Sequence, residues 1–495
     1  MNYFIGIDVG TSATKSVLFD QNGKIIFSDS KEYELIQPHN GWAQQRPDDW
    51  KNAAIETLKK ITKQVNADEI KGIGISGQMH GLVVLDSDNN VLYDSIIWCD
   101  QRTENEVNEI VNVIGKERYI DLTLNAPNTS FTLSKLLWLK NNEPDVYSKI
   151  SKALLPKDYV NFCLTGKFST DCSDASGTGC FDVKNRNWSD EILSAFNISK
   201  SILPTLFESS DVVGNITGEI AELTGLSTDT VVVAGAGDQA AAALGNGIIK
   251  TGCTSISLGT SGVVFTAIDN PLYDKSGRTH TFCHAIENMW HIMGVTQGCG
   301  LSLNWFRKNF AKEYSYAELD EQAKDVTSDG IIYLPYLMGE RTPHLDPNCR
   351  ASFTGISVNH NVLNLYRAIL EGVAFSLKDC SEVIYNTGIE LNMINVGGGG
   401  AKSKLWLQIL ADITAKNLYS SKSVESGALG VAMLASIGCG LYKSIDEANE
   451  KMNNQELALT QFNPDKSDYY NALYEIYKNL YPAIKSAQGV TENER

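Results

Sequence analysis

An α/β fold of two similar domains is the architecture this sequence predicts, and three observations carry it. The segment FIGIDVGTSATKSVLFD (4–20) reads as a strand, a tight glycine turn and a second strand. SISLGTSGVVFTAID (255–269) repeats that form, with the same Gly-Thr-Ser at its turn. The two copies lie about half the 495-residue chain apart, so the repeating unit is a domain rather than a short solenoid repeat. A chain of this length accommodates two large domains. No low-complexity linker separates the halves, which predicts domains over 1–245 and 246–495 packed around a cleft.

The elements follow in order. Asn22-Gly23 is a hairpin signal leading into a third strand, KIIFSDSKEY (24–33). From Pro47 the pattern changes, and DDWKNAAIETLKKITKQV (48–65) has apolar residues at helical spacing. IKGIGISG (70–77) and VVLD (83–86) read as strands, with Asn89-Asn90 turning the chain onward. Val231-Val232-Val233 is an apolar run that enters AGAGDQAAAALG (234–245), whose alanines open a buried helix. In the second half a long helical stretch covers 361–385. INVGGGGAKSKLWLQILADI (394–413) is a strand, a glycine turn and a helix. Two weakly charged stretches, 251–268 and 426–442, are rich in small residues, which favours a hairpin and a buried core helix over membrane spans.

Composition narrows the function classes. The formal net charge of −17, with no Lys/Arg block, argues against a nucleic-acid partner, although backbone amides can still hold a small anion. Ten cysteines without a C-x-x-C pair fit free thiols in a reducing cytoplasm. The N-terminus reaches Asp8 too early for a secretory signal, so the expectation is a cytoplasmic protein that enters no membrane.

Five motifs have chemical content. Asp8 precedes Gly10-Thr11-Ser12, where a glycine turn can aim backbone N–H groups at a phosphate and a carboxylate can hold magnesium. An ordinary hairpin turn is the plain alternative. Lys15 is placed to reach the same phosphates or to be a surface lysine. The matching turn, Gly259-Thr260-Ser261, would grip a polyphosphate from the other domain. The four glycines 397–400, followed by Ala401-Lys402-Ser403, permit close approach to a ligand or tight helix–strand packing. Ser426-Gly427-Ala428-Leu429-Gly430 is expected as the facing wall of that pocket. Met79-His80, between Gly77 and Gly81, places a histidine at a strand end for a hydroxylated ligand or for structure. His280, Cys283, His284 and His291 cluster but lack zinc spacing. The fifth is Asp238, a lone charge between glycines and alanines. It reads as a helix cap, a structural ligand or a general base.

In order and over nearly the whole chain, these elements resemble the FGGY carbohydrate kinases, of the sugar kinase, heat-shock chaperone and actin superfamily. IGIDVGTSATK (5–15) looks like the family's first phosphate motif. NTSFTLSKLLWLKN (128–141), with Lys135 and Trp138, looks like one family signature. SFTGISVNHNVLNLYRAILEG (352–372), with Gly355, Ala368 and Glu371, looks like the other. GISGQMHGLVVLD (74–86), IIWCDQRT (96–103), residues 154–178 and YLPYLMGERTPH (333–344) are similar to the subgroup that phosphorylates xylulose. Members acting on glycerol carry Arg-Glu where this chain has Met79-His80. Gln239 stands where some members have Asn, an exchange of like amides, and Ala13 is a small-residue departure.

The resemblance implies two ribonuclease-H-like domains with ATP and sugar meeting in the central cleft. It implies Asp238 as catalytic base, and Met79, His80, Asp238 and Gln239 as sugar contacts. Asp8 would lie near Mg2+. Gly10, Thr11, Ser12, Lys15, Gly259 and Thr260 would contact phosphates, and Gly398, Gly399, Gly400 and Ser403 the nucleotide. Homodimers are common among such kinases. Two alternatives stay open: a kinase for another substrate such as ribulose, gluconate or glycerol, and an ATP-switched chaperone or filament protein.

Overall fold

The computed structural model describes residues 1–421, 425–454 and 456–492. The first hairpin forms as β1 (Tyr3–Val9) and β2 (Ala13–Asp20), followed by β3 (Ile25–Glu32) and helix α1 (Pro47–Ile61). Strand alternation sorts the side chains of β1. Ile5, Ile7 and Val9 share a core with Trp50, Ala54 and Leu58 of α1, while Phe4 packs on the opposite face. Asp8 therefore lies on the Phe4 face. β4 (Ile70–Gly77) pairs in parallel with β1, with Asp8 beside Ser76. Helices α2 (Thr132–Asn142) and α3 (Pro156–Thr165) follow. β5 (Val212–Asn215), β6 (Val231–Val233) and β7 (Ala236–Gly237) complete a seven-stranded sheet of order β5-β6-β4-β1-β2-β3, with β7 on β4. Helix α4 (Asp238–Gly245) leaves directly from β7.

The second half rebuilds the same plan. Its strands are β8 (Thr254–Leu258), β9 (Gly262–Ile268), β10 (His280–Cys283), β11 (Trp290–Thr296), β12 (Ile394–Gly397), β13 (Leu418–Ser421) and β14 (Leu457–Thr460). They form a second seven-stranded sheet of order β10-β11-β9-β8-β12-β13-β14. In both sheets an antiparallel hairpin lies beside two parallel strands and ends on an antiparallel edge. Among its helices are α5 (Val362–Tyr385), α6 (Lys404–Thr414), α7 (Ser426–Gly438) and α8 (Pro464–Glu492). Among the described residues no helix is long and apolar enough to cross a membrane.

Helix α7 crosses from the second half onto the first sheet, and glycines admit it. A Cβ on Gly6 would stand 2.0 Å from the Ala428 carbonyl oxygen, and one on Gly74 2.1 Å from that of Val431. Gly430 in turn lets α7 close on Ala241 of α4, where a Cβ would meet the carbonyl oxygen at 2.0 Å. This corrects the expectation for 426–430. Ala428, Leu429 and Gly430 are buried against the first sheet and α4, and only the first turn of α7 reaches the site.

Candidate active site

Asp8 projects from β1 toward the start of α7, where a Cβ on Gly427 would lie 3.9 Å from its carboxylate. Burial raises its proton affinity and the Glu425 charge adds to this, while the Ser76 hydroxyl and Lys15 act against it. Lys15, opposite Asp8 on β2, has its ammonium in an ion pair with Glu425.

Asp238 is the first residue of α4. Gly237 occupies the capping position and no side chain caps this helix, so the capping alternative is set aside. Asp238 is half-buried, and its pKa is pushed up to about 7, first by burial of the carboxyl and then by the Asp8 charge. The backbone N–H and side chain of Gln239 favour the anion and offset part of that shift. Asp8 on β1 and Asp238 at the start of α4 thus share one electrostatic site.

Below Asp238 lies a buried polar network that the sequence did not reveal. Lys157 is fully buried, with Nζ 2.6 Å from Asp158, 2.9 Å from Asp171 and 3.8 Å from Asp174. Asp171 accepts from Ser173 N–H at 2.8 Å and from the Ser209 hydroxyl at 2.9 Å. The Ser173 hydroxyl in turn accepts from Gly237 N–H at 3.1 Å, which anchors the residue before Asp238. Lys157, Asp158, Asp171, Ser173, Asp174 and Ser209 lie 29–81 positions before Asp238, so no local pattern joins them to it.

Met79 packs against Gly237, where a Cβ would meet its sulfur at 3.1 Å. His80 adopts φ 71°, a left-handed backbone that costs a non-glycine residue roughly 1–2 kcal/mol. Its neighbours hold that conformation. The His80 carbonyl accepts from buried Lys135 Nζ at 2.7 Å and from the Thr132 hydroxyl at 3.1 Å. Nδ1 lies 2.8 Å from the Gly177 carbonyl, which can only accept, so Nδ1 carries the proton and Nε2 is left as an acceptor. Burial, with Lys135 next in importance, lowers the ring's pKa to about 3, so it stays neutral. Lys135 and Thr132 both belong to the stretch NTSFTLSKLLWLKN, but only the fold brings them to His80.

The first Gly-Thr-Ser turn joins β1 to β2, closed by Gly10 N–H to Ala13 carbonyl at 3.0 Å. The Thr11 hydroxyl accepts from Trp98 Nε1 at 3.0 Å and donates to Gln78 at 3.3 Å. Its carbonyl accepts from Gln45 at 2.6 Å. Among the described residues the N–H groups of Thr11 and Ser12 have no partner, which leaves them for an anion. The second turn ends β8. The carbonyls of Gly259 and Thr260 accept from Gly300 and Leu301, fixing the loop by its acceptors. Gly398, at φ 87°, stands against Leu258, where a Cβ would meet the carbonyl oxygen at 2.8 Å. Gly398 and Gly399 are exposed, and a Cβ on Gly397 or Gly399 would meet open space. Gly400 instead packs on Trp406, and the Ser403 hydroxyl caps α6 by accepting from Trp406 N–H at 3.0 Å.

Two clusters result: Asp8, Gly10–Ser12, Lys15, Met79, His80, Asp238 and Gln239 on the first sheet, and Gly259, Thr260, Gly398–Gly400 and Ser403 on the second. Among the described residues no hydrogen bond joins them directly. The Lys15–Glu425 pair ties the first cluster to the start of α7. No group of three or more His, Cys, Asp or Glu side chains could hold a metal among the described residues. Asp8 and Asp238 nonetheless offer hard oxygen donors of the kind Mg2+ takes one or two at a time beside phosphate oxygens and water.

Comparison with known proteins bears on this geometry. The family model "FGGY family of carbohydrate kinases, N-terminal domain" matches residues 3–245, and its C-terminal counterpart residues 254–439. The chain is 40% identical to a xylulose kinase of Bacillus subtilis over 491 residues, 98% of either chain. It superposes on a ligand-bound xylulose kinase from Lactobacillus acidophilus with a TM-score of 0.94 at 31% identity, covering 99% of this chain and 100% of the other. A gluconate kinase from the same species gives 0.93 at 31%, with 99% of each covered.

Proposed function

Since the chain belongs to the FGGY family of carbohydrate kinases and is a carbohydrate kinase, we propose that it transfers the γ-phosphoryl group of ATP to D-xylulose, giving ADP and D-xylulose 5-phosphate. The observation that carries the sugar is near full-length similarity to xylulose kinases, joined to Met79 and His80 beside Asp238. The gluconate kinase neighbour keeps a second reading alive, because the same fold serves another acceptor.

Asp238 accepts the proton of the sugar's terminal hydroxyl as that oxygen bonds to the γ-phosphorus and the bond to ADP breaks. A pKa near 7 suits the task, since the carboxylate is available at neutral pH and basic enough to take the proton. Neutral His80 accepts a sugar hydroxyl at Nε2, and Gln239 orients both the carboxylate and the sugar. The free N–H groups of Thr11 and Ser12 face the transferring phosphate, and Gly259 and Thr260 hold the other phosphates. Gly398 and Gly399 border the nucleotide, with Gly400 and Ser403 shaping that turn from behind. Asp8 would hold Mg2+, which when bound neutralises charge on the phosphate oxygens. Residues 1–245 carry the sugar and base, 246–495 the nucleotide. The ten free cysteines support a reducing, cytoplasmic setting.

A sugar panel with coupled ADP detection tests the reading. Xylulose should be turned over most efficiently, and a clear preference for ribulose, gluconate or glycerol rejects it. Asp238→Ala should fold, bind ATP and lose about 10²–10⁴-fold in turnover. Near-normal turnover by a folded Asp238→Ala variant excludes the base assignment.

A further inference from the structure

We propose that His280 and Arg341 form the far end of the sugar site, with the Arg341 guanidinium recognising the carbonyl oxygen of a 2-ketose. The inference rests on Asp238 being the base with sugar laid along Met79 and His80.

The groups form a row. Asp238 follows Gly237, which touches Met79, and Gly177 lies between Met79 and His80. The His80 ring is 5.1 Å from Phe131 and 6.0 Å from Phe282 by centroid. His280 lies 6.2 Å from Phe131 and stacks on Phe282 at 5.8 Å. Beyond it, the Thr342 hydroxyl donates to the Arg278 carbonyl at 2.7 Å, which brings the 339–342 loop to the start of β10. The Arg341 charge is felt at both His80 and His280 and lowers the proton affinity of each ring.

That loop is firmly held. Buried Glu340 accepts from Thr296 Oγ1 at 2.6 Å, Gln297 N–H at 2.9 Å and Arg341 N–H at 2.7 Å. The Glu340 charge acts on the Arg341 guanidinium, yet among the described residues Arg341 has no ion pair within 4.0 Å. Gln297, with its amide oriented as its surroundings require, accepts from Arg341 Nε at 3.3 Å and donates to the Met338 carbonyl at 2.9 Å. An arginine so placed has donors free for a ligand oxygen.

His280 is fixed as His80 is. Asn125 Nδ2 donates to the Thr123 and Thr281 carbonyls at 2.7 and 2.8 Å, so the Asn125 oxygen faces His280 Nδ1 at 3.1 Å and Nδ1 carries the proton. Both rings therefore present Nε2 as an acceptor. The row offers two acceptors for sugar hydroxyls and, at the His280 end, a cationic donor. A 2-ketose phosphorylated at its far terminal hydroxyl has that pattern, because its carbonyl sits at the opposite end and can only accept. A polyol places a hydroxyl there instead.

The test is the ratio of kcat/KM for xylulose to that for xylitol, in wild type, Arg341→Met and Arg341→Lys, with ATP affinity read by calorimetry. Arg341→Met should lower the ratio about 10- to 100-fold, the loss expected for a charge-assisted hydrogen bond. ATP affinity should stay within twofold, and Arg341→Lys should fall between. Equal losses on ketose and polyol, or no loss on the ketose in either folded variant, overturn the proposal. If wild type prefers another ketose, the xylulose reading fails and the same ratio is measured with that ketose and its polyol. A wild type that acts only on polyols or aldonates overturns the carbonyl assignment.

Discussion

Asp238 is the residue whose cost and purpose coincide. Its folded pKa of about 7 lies above the ordinary aspartate value of 3.8, first because of burial and next because of Asp8. The folded state therefore holds this proton more tightly than the unfolded chain. Its stabilising effect is complete below about pH 4 and is lost as pH rises through 7. Asp238→Asn removes the buried charge, so the variant should melt roughly 2–6 °C higher at pH 8. The gain should shrink as pH falls toward 4. Calorimetry across that range checks it, and a gain that grows at low pH would reverse the sign of the coupling. The same group predicts that wild-type kcat/KM rises from pH 6 to 8 with an apparent pKa near 7, read from a pH–rate profile in a non-coordinating buffer. The sequence singled out Asp238 as a charge among small residues, but capping and catalysis stayed equal there. Helix geometry sets capping aside, because α4 begins at Asp238 and its cap is Gly237.

At the scale of elements, IKGIGISG shows how a strand can encode its neighbours. Ile73 and Ile75 point into the α1 core, while Gly74, on the other face, admits the α7 backbone. The isoleucine alternation was legible as a half-buried strand. The glycines were legible only as small residues, since the helix they receive starts about 350 residues later. Gly74→Ala puts a Cβ 2.1 Å from the Val431 carbonyl oxygen, so α7 must shift. Overpacking of this kind costs about 1–3 kcal/mol. Because the first turn of α7 faces Asp8, the shift should also lower kcat. Thermal melts and steady-state rates check both, and an unchanged variant would mean that α7 moves freely on the sheet.

At the scale of the molecule, the two sheets repeat one topology and each carries part of the candidate site. Phosphoryl transfer needs the γ-phosphorus in line with the acceptor oxygen, with water kept out. The two clusters share no direct hydrogen bond among the described residues, and a ligand gripped by both is expected to draw them together. Small-angle scattering should show a smaller radius of gyration with xylulose and a non-hydrolysable ATP analogue together than with either alone. No change with both ligands present would argue for a preformed closed site.

The sequence alone determined the duplicated strand–turn–strand plan, the glycine turns at equivalent ends of the two sheets, the membership of a sugar kinase family, and Asp238 as the residue to explain. These are properties of local pattern and of spacing along the chain, which a sequence carries directly. Tertiary structure alone decided that Lys15 is paired to Glu425, that Ser403 caps a helix, that Lys135 holds His80 in a left-handed backbone, and that His280 and His80 meet the same two rings, Phe131 and Phe282. Each depends on atoms from distant segments meeting within a few ångströms. A hydrogen bond or a shifted pKa depends on that distance and on the water excluded around it, and neither is written in residue order.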